Sequence, residues 1–179
     1  IAAAKQMAES KALEGWLFTL DFPSYLPVMT YSENSALREE MYTAFSTRAS
    51  DQGPNAGEYD NSDIINETLK LKHELANLLG FSTYAESSLA TKMAETPEDV
   101  IQFLTELAEK AYPQAQQEFA ELAAFANEKL ALAELKPWDV TYASEKLKQQ
   151  TFNSSQEELR AYFPAPKAMV VLFEPASRL

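Results

Sequence analysis

Few residues of this chain could do chemistry, and the most suggestive are His73-Glu74, where the single histidine is followed by a carboxylate. In a helical H-E-x-x-H pattern two imidazoles share one face and bind zinc while the glutamate activates water. Here the second imidazole position is Asn77. An amide oxygen is a poor ligand for a borderline-soft ion, and a chain with one histidine and no cysteine offers no other imidazole or thiolate to complete the set. The same shortage removes the base that a serine nucleophile needs, and there is no G-x-S-x-G elbow, EF-hand spacing or phosphate-cradling glycine loop. The pairs Glu39-Glu40, Glu98-Asp99 and Glu157-Glu158 are sequence neighbours, which a helix points about 100° apart, so they read as solvated faces and caps. Tyr25, Tyr31, Tyr42, Tyr59 and Tyr84 could line a peptide groove, although aromatics at helical spacing more often pack a core. The expectation is that the chain supplies no catalytic and no metal-ligating residue of its own.

The elements that must position these residues read as helices. Four glycines against nine prolines is too little glycine for a sheet rich in tight hairpins. Residues 2 to 14 are strong helix formers closed by Gly15, and a short helix is expected around residues 24 to 31. Asn34 or Ser35 can cap a helix running to about residue 48, with Leu37, Met41, Ala44 and Phe45 at helical spacing. Ile64, Leu71, Leu75 and Leu78 form one stripe ended by Gly80, and Ser82 restarts a helix through Leu89. Thr96-Pro97-Glu98-Asp99 combines a hydroxyl cap, an N1 proline and first-turn acids. Beyond it Val100, Leu104, Leu107 and Ala111 share a face, and the pattern resumes with Phe119, Leu122, Ala126 and Leu130. Pro113 predicts a kink or break near residues 110 to 113, leaving two arms able to pack antiparallel. Further helix is expected from residue 145 to 150 and from 155 to 162.

Two stretches break the helical pattern. Trp16-Leu17-Phe18-Thr19-Leu20 fits a short strand or a buried extended linker, and Pro137-Trp138-Asp139-Val140-Thr141-Tyr142 could be one strand of a sheet completed elsewhere. Residues 50 to 62 hold Gly53-Pro54-Asn55-Ala56-Gly57 without an apolar face, and are the candidate mobile loop. The fold class is therefore mainly α, a single helical region over residues 1 to 179 with at most one or two short strands.

Composition narrows the partners. At 46% apolar residues the chain can bury a core, while 27 acidic against 15 basic residues, a net charge of -12, repel nucleic acid and anionic membrane surfaces. No stretch holds the roughly 20 unbroken apolar residues of a spanning helix. Zero cysteines suit a reducing compartment such as the cytoplasm. The opening Ile1-Ala2-Ala3-Ala4-Lys5-Gln6-Met7-Ala8 looks like the inside of a helix, as if the segment were excised from a longer protein.

The string carries more than its chemistry. Leu13-Glu14-Gly15-Trp16-Leu17-Phe18-Thr19-Leu20-Asp21, Ser46-Thr47-Arg48, Asn61-Ser62-Asp63-Ile64-Ile65, Leu78-Leu79-Gly80-Phe81-Ser82-Thr83-Tyr84-Ala85, Lys92-Met93-Ala94, Trp138-Asp139 and Tyr162-Phe163-Pro164 resemble, in order, the middle of zinc oligopeptidases of the thimet oligopeptidase class. The likeness runs over roughly residues 6 to 164 and is looser after Ala165. It implies a mostly helical, two-lobed, channel-containing metallopeptidase that hydrolyses short peptides. It also implies a zinc held by an H-E-F-G-H helix and a later glutamate, none of which this chain contains. His73 falls where the class places no ligand. The chain would then be an inactive fragment forming helical scaffold and channel wall, with zinc and peptide bound by the parent protein. Trp138, Asp139 and Tyr142 match the class's W-D-x-x-Y stretch and are the possible substrate-channel residues. Apolar helix faces cut from a larger protein would favour self-association. The competing reading is a free-standing acidic helical interaction module that takes a partner peptide in a groove.

Overall fold

The computed structural model describes residues 2–153 and 162–178. Its elements, in order, are α1 (Ala2–Ser10), α2 (Phe22–Tyr31), α3 (Ser35–Ser46), α4 (Ser62–Leu78), α5 (Tyr84–Leu89), α6 (Pro97–Leu130), a 3₁₀ turn (Pro137–Asp139), α7 (Val140–Phe152) and α8 (Ala165–Ala176). No strand occurs among the described residues, so the mainly α expectation holds.

Local side-chain chemistry starts several of these helices. Asn34 Oδ1 accepts the Leu37 N–H at 3.2 Å to open α3. Reciprocal capping boxes open α5, through Thr83 and Glu86, and α6, where Thr96 Oγ1 accepts from Asp99 N at 3.1 Å and Asp99 Oδ2 accepts from Thr96 N at 3.0 Å. Asp60 Oδ1 accepts from both the backbone and the hydroxyl of Ser62 at the start of α4, and these bonds hold its carboxyl below the ordinary value.

Four expectations need correction. First, α1 stops at Ser10, because Ala12 takes the left-handed conformation (φ 55°) and Leu13 N–H closes on the Ala8 carbonyl, three residues ahead of Gly15. Second, of the kink or break expected at Pro113, the break does not occur: α6 runs on through Pro113 for 34 residues, about 50 Å at 1.5 Å per residue, so the segment does not fold into two separate helices. The proline's lost hydrogen bond is outweighed by strong helix formers on both sides and by i,i+4 bonds from Gln102 to Glu106, Gln114 to Glu118 and Gln117 to Glu121. Third, residues 137–142 are a 3₁₀ turn running into α7, not a strand. Pro137 starts helical turns well, and with no neighbouring strand the β-prone side chains bury themselves from a helix instead. Fourth, α8 occupies residues for which no helix was expected. Of the two options for residues 16–20, the structure takes the extended linker: Leu17 N–H bonds the Ala4 carbonyl, Thr19 N–H bonds Ser24 Oγ, and Phe18 and Leu20 pack inward. Residues 50–61 form turns, with Gly53 (φ 83°) against Thr47. The helix expected from residue 155 to 162 lies almost wholly outside the described residues, as do Glu157 and Glu158.

The core lies in two patches. Val28, Met29 and Met41 pack with Phe18, Leu20, Tyr25, Leu37, Tyr42 and Trp138, joining α2 and α3 to the 3₁₀ turn. Leu122, Ala126 and Ala143 pack with Leu130, Leu132, Leu135, Val140 and Leu147, fixing α6 to α7. The 3₁₀ turn and the start of α7 therefore sit between both patches. Large apolar side chains elsewhere remain exposed, among them Leu78 (84%), Leu71 and Leu75 of α4, Ile101 and Leu104 of α6, and residues Met169 to Phe173 of α8.

Candidate functional site

The turn between the two core patches gathers the polar side chains that the fold buries most deeply. Asp139, last residue of the 3₁₀ turn, is 2% exposed, and Arg38, from the first turn of α3, is 1% exposed. Arg38 Nη2 donates to Asp139 Oδ1, Arg38 Nη1 donates to the Ser32 carbonyl, and Ser35 Oγ donates to Asp139 Oδ1 at 3.0 Å. The guanidinium carbon lies 4.3 Å from the centroid of the buried Tyr142 ring, and Lys146 Nζ approaches the same ring at 5.5 Å. Trp138 is half-buried, tilted 55° against Tyr42 at 6.1 Å. Of the three sequence-picked residues, Asp139 and Tyr142 both meet Arg38, while Trp138, next to Asp139 in the chain, packs on Tyr42 and the first core patch. Arg38 was not among the residues picked from the sequence; the available signal was a cation on the helix face shared with Met41 and Phe45, whereas nothing local pairs it with Asp139, 101 residues away.

A planar fork that engages a carboxylate and a carbonyl while stacking on a ring suits a fixed structural ion pair. Arg38 Nε is buried without a hydrogen-bond partner, a polar group the fold tolerates for the sake of the other contacts.

His73, Glu74 and Asn77 are exposed on α4, and among the described residues no group of three or more His, Cys, Asp or Glu could hold a metal ion. A single imidazole with no second imidazole or thiolate is a poor donor set for zinc. Of the carboxylate pairs, Glu39-Glu40 lies exposed on α3, and Asp99 of Glu98-Asp99 is spent in the α6 capping box. The tyrosines scatter: Tyr25 stacks on Phe45 at 4.2 Å and Tyr42 joins the first core patch, Tyr84 lies under Lys72, and Tyr59 sits exposed on the loop. Burial, and secondarily the neighbouring Tyr42, raises the Tyr25 phenol above its ordinary value. A groove of about 620 Å³ between α6 and α7 is lined by Phe119, Leu122, Ser144, Leu147 and Phe152, and another of about 610 Å³ by Phe163, Lys167, Val171 and Leu172 at α8. Neither is lined by Trp138, Asp139 or Tyr142.

Comparison with known proteins sets this geometry in context. The model of peptidase family M3 matches residues 28–179, which carries the likeness through the segment after Ala165. Oligopeptidase A of Escherichia coli (strain K12) is 60% identical over 179 residues, 100% of this chain and 26% of that protein. The probable cytosolic oligopeptidase A of Arabidopsis thaliana is 46% identical over 166 residues, covering 92% of this chain and 23% of its own length. Dipeptidyl carboxypeptidase of E. coli is 30% identical over 164 residues, 91% of this chain and 24% of that protein. The chain spans about a quarter of the length of the curated relatives it matches.

Proposed function

The chain belongs to peptidase family M3, and from that premise we propose that these residues serve a zinc-dependent oligopeptidase as helical scaffold and channel wall, without the means to cleave peptides alone. The observation that carries this reading is the state of the polar side chains. The deeply buried ion pair is engaged in holding helices together, and the lone histidine is exposed with no second imidazole or thiolate to join it. The residues present do not fit a zinc ion, so the metal and the base that activates water belong to other parts of such an enzyme.

In this reading Trp138, in the 3₁₀ turn that packs on α3, offers its half-buried indole to the peptide path, and the buried Tyr142 supports the wall from behind. Substrates are short peptides, and the site of action is the cytosol, as the name of the Arabidopsis relative suggests for that protein. No helix among the described residues is long and apolar enough to cross a membrane. Isolated, the 179-residue chain self-associates through the bare faces of α4, α6 and α8.

The test is a transplant. E. coli oligopeptidase A in which this chain replaces its matched quarter should fold and retain peptide hydrolysis. A soluble, folded, inactive chimera would overturn the scaffold reading.

A further inference from the structure

We propose that Arg38 is the positioning residue of the channel wall, setting the orientation of Trp138 toward the peptide through Asp139 and the buried Tyr142; this rests on the channel-wall reading above. Trp138 is adjacent to Asp139 in the 3₁₀ turn, so a guanidinium that fixes the Asp139 carboxylate fixes the backbone carrying the indole. Tyr142 lies three residues beyond Asp139 in the first turn of α7, and its ring lies under the same guanidinium at 4.3 Å. The third contact, to the Ser32 carbonyl between α2 and α3, ties the cation to the end of α2. One rigid fork thus anchors both aromatic residues to α3, and Ser35 holds the carboxylate from the same helix. A lysine keeps the charge but is a point donor on a flexible stem. It cannot serve Ser32, Asp139 and the Tyr142 face together.

Two arms test this. In the 179-residue chain carrying Trp16→Phe, Trp138 is the sole indole, and Arg38→Lys should raise its acrylamide quenching about twofold while helical circular dichroism stays unchanged. In the chimera, Arg38→Lys should raise KM for a short peptide with little change in kcat, because the loss falls on substrate placement. Trp138→Ala distinguishes the two ideas. If it leaves KM unchanged, the channel-wall reading fails. If it raises KM but Arg38→Lys changes neither quenching nor KM, Arg38 positions nothing and only this proposal falls. Should lysine unfold the chain, Arg38→Gln is read the same way, since it keeps a polar side chain but loses the charge and the fork that reach Asp139 and Ser32. Unchanged quenching in a folded Arg38→Gln chain would then overturn the proposal.

Discussion

Replacing Arg38 by methionine removes the cation and leaves the Asp139 carboxylate, 2% exposed, with only Ser35 Oγ as a side-chain partner. Breaking a buried pair by deleting one member costs about 3–5 kcal/mol, because the surviving charge can neither reach water nor find another counter-ion. Part of this is recovered: the unpartnered Arg38 Nε disappears, relieving about 1 kcal/mol of desolvation, and methionine fills much of the volume. The net loss should be about 2–4 kcal/mol. At a urea slope of about 2 kcal/mol per molar, the midpoint should fall by about 1–2 M without a change in slope. Urea titration followed by far-ultraviolet circular dichroism, at protein concentrations below the onset of association, reads this directly. The partner experiment is Arg38→Met with Asp139→Leu, which removes both charges and should return stability to within about 1 kcal/mol of the parent. A single variant costing under about 1 kcal/mol, or a double variant no more stable than the single, would refute the buried-pair reasoning.

Other outcomes follow from separate features. The raised Tyr25 phenol contributes stability that is fully present below its unfolded value near 10 and lost as pH rises through the higher folded value, so the parent should lose more urea stability between pH 9 and 11 than Tyr25→Phe. Parallel losses would contradict the burial of that hydroxyl. At Gly53 an added Cβ would come within 2.0 Å of Thr47 Oγ1 on a backbone with φ +83°, so Gly53→Ala should cost about 1–3 kcal/mol by the same titration. Light scattering of the parent chain should show mass rising with concentration, and Leu75→Glu with Leu104→Glu should lower it; a monomer across the whole range counts against bare apolar faces.

Much of the architecture was written in local signals. The Thr96-Pro97-Glu98-Asp99 start, the Asn34 cap and the Ile64 to Leu78 stripe depend on neighbours within a turn or two, and each appears where its residues place it. Pro113 misled because a proline's local cost is small against a long, well-paired helix, and residues 137–142 misled because β-branched and aromatic side chains report burial as much as strand. The Arg38–Asp139 pair could be half seen. Asp139 stood within a recognisable stretch, but only the packing of α3 against the 3₁₀ turn reveals which cation answers it. For His73-Glu74 it is ligand chemistry, read from the sequence, that speaks against zinc, and the structure adds only that the pair is exposed on α4.

The central claim is that these residues support catalysis and do not perform it. The most direct measurement is hydrolysis of a fluorogenic short peptide by the stringently purified 179-residue chain with added zinc, beside Asn77→His, which creates the H-E-x-x-H pattern without a third ligand. Both should be indistinguishable from buffer. Zinc-dependent cleavage by either, abolished by a chelator and co-purifying with the chain, would contradict the account.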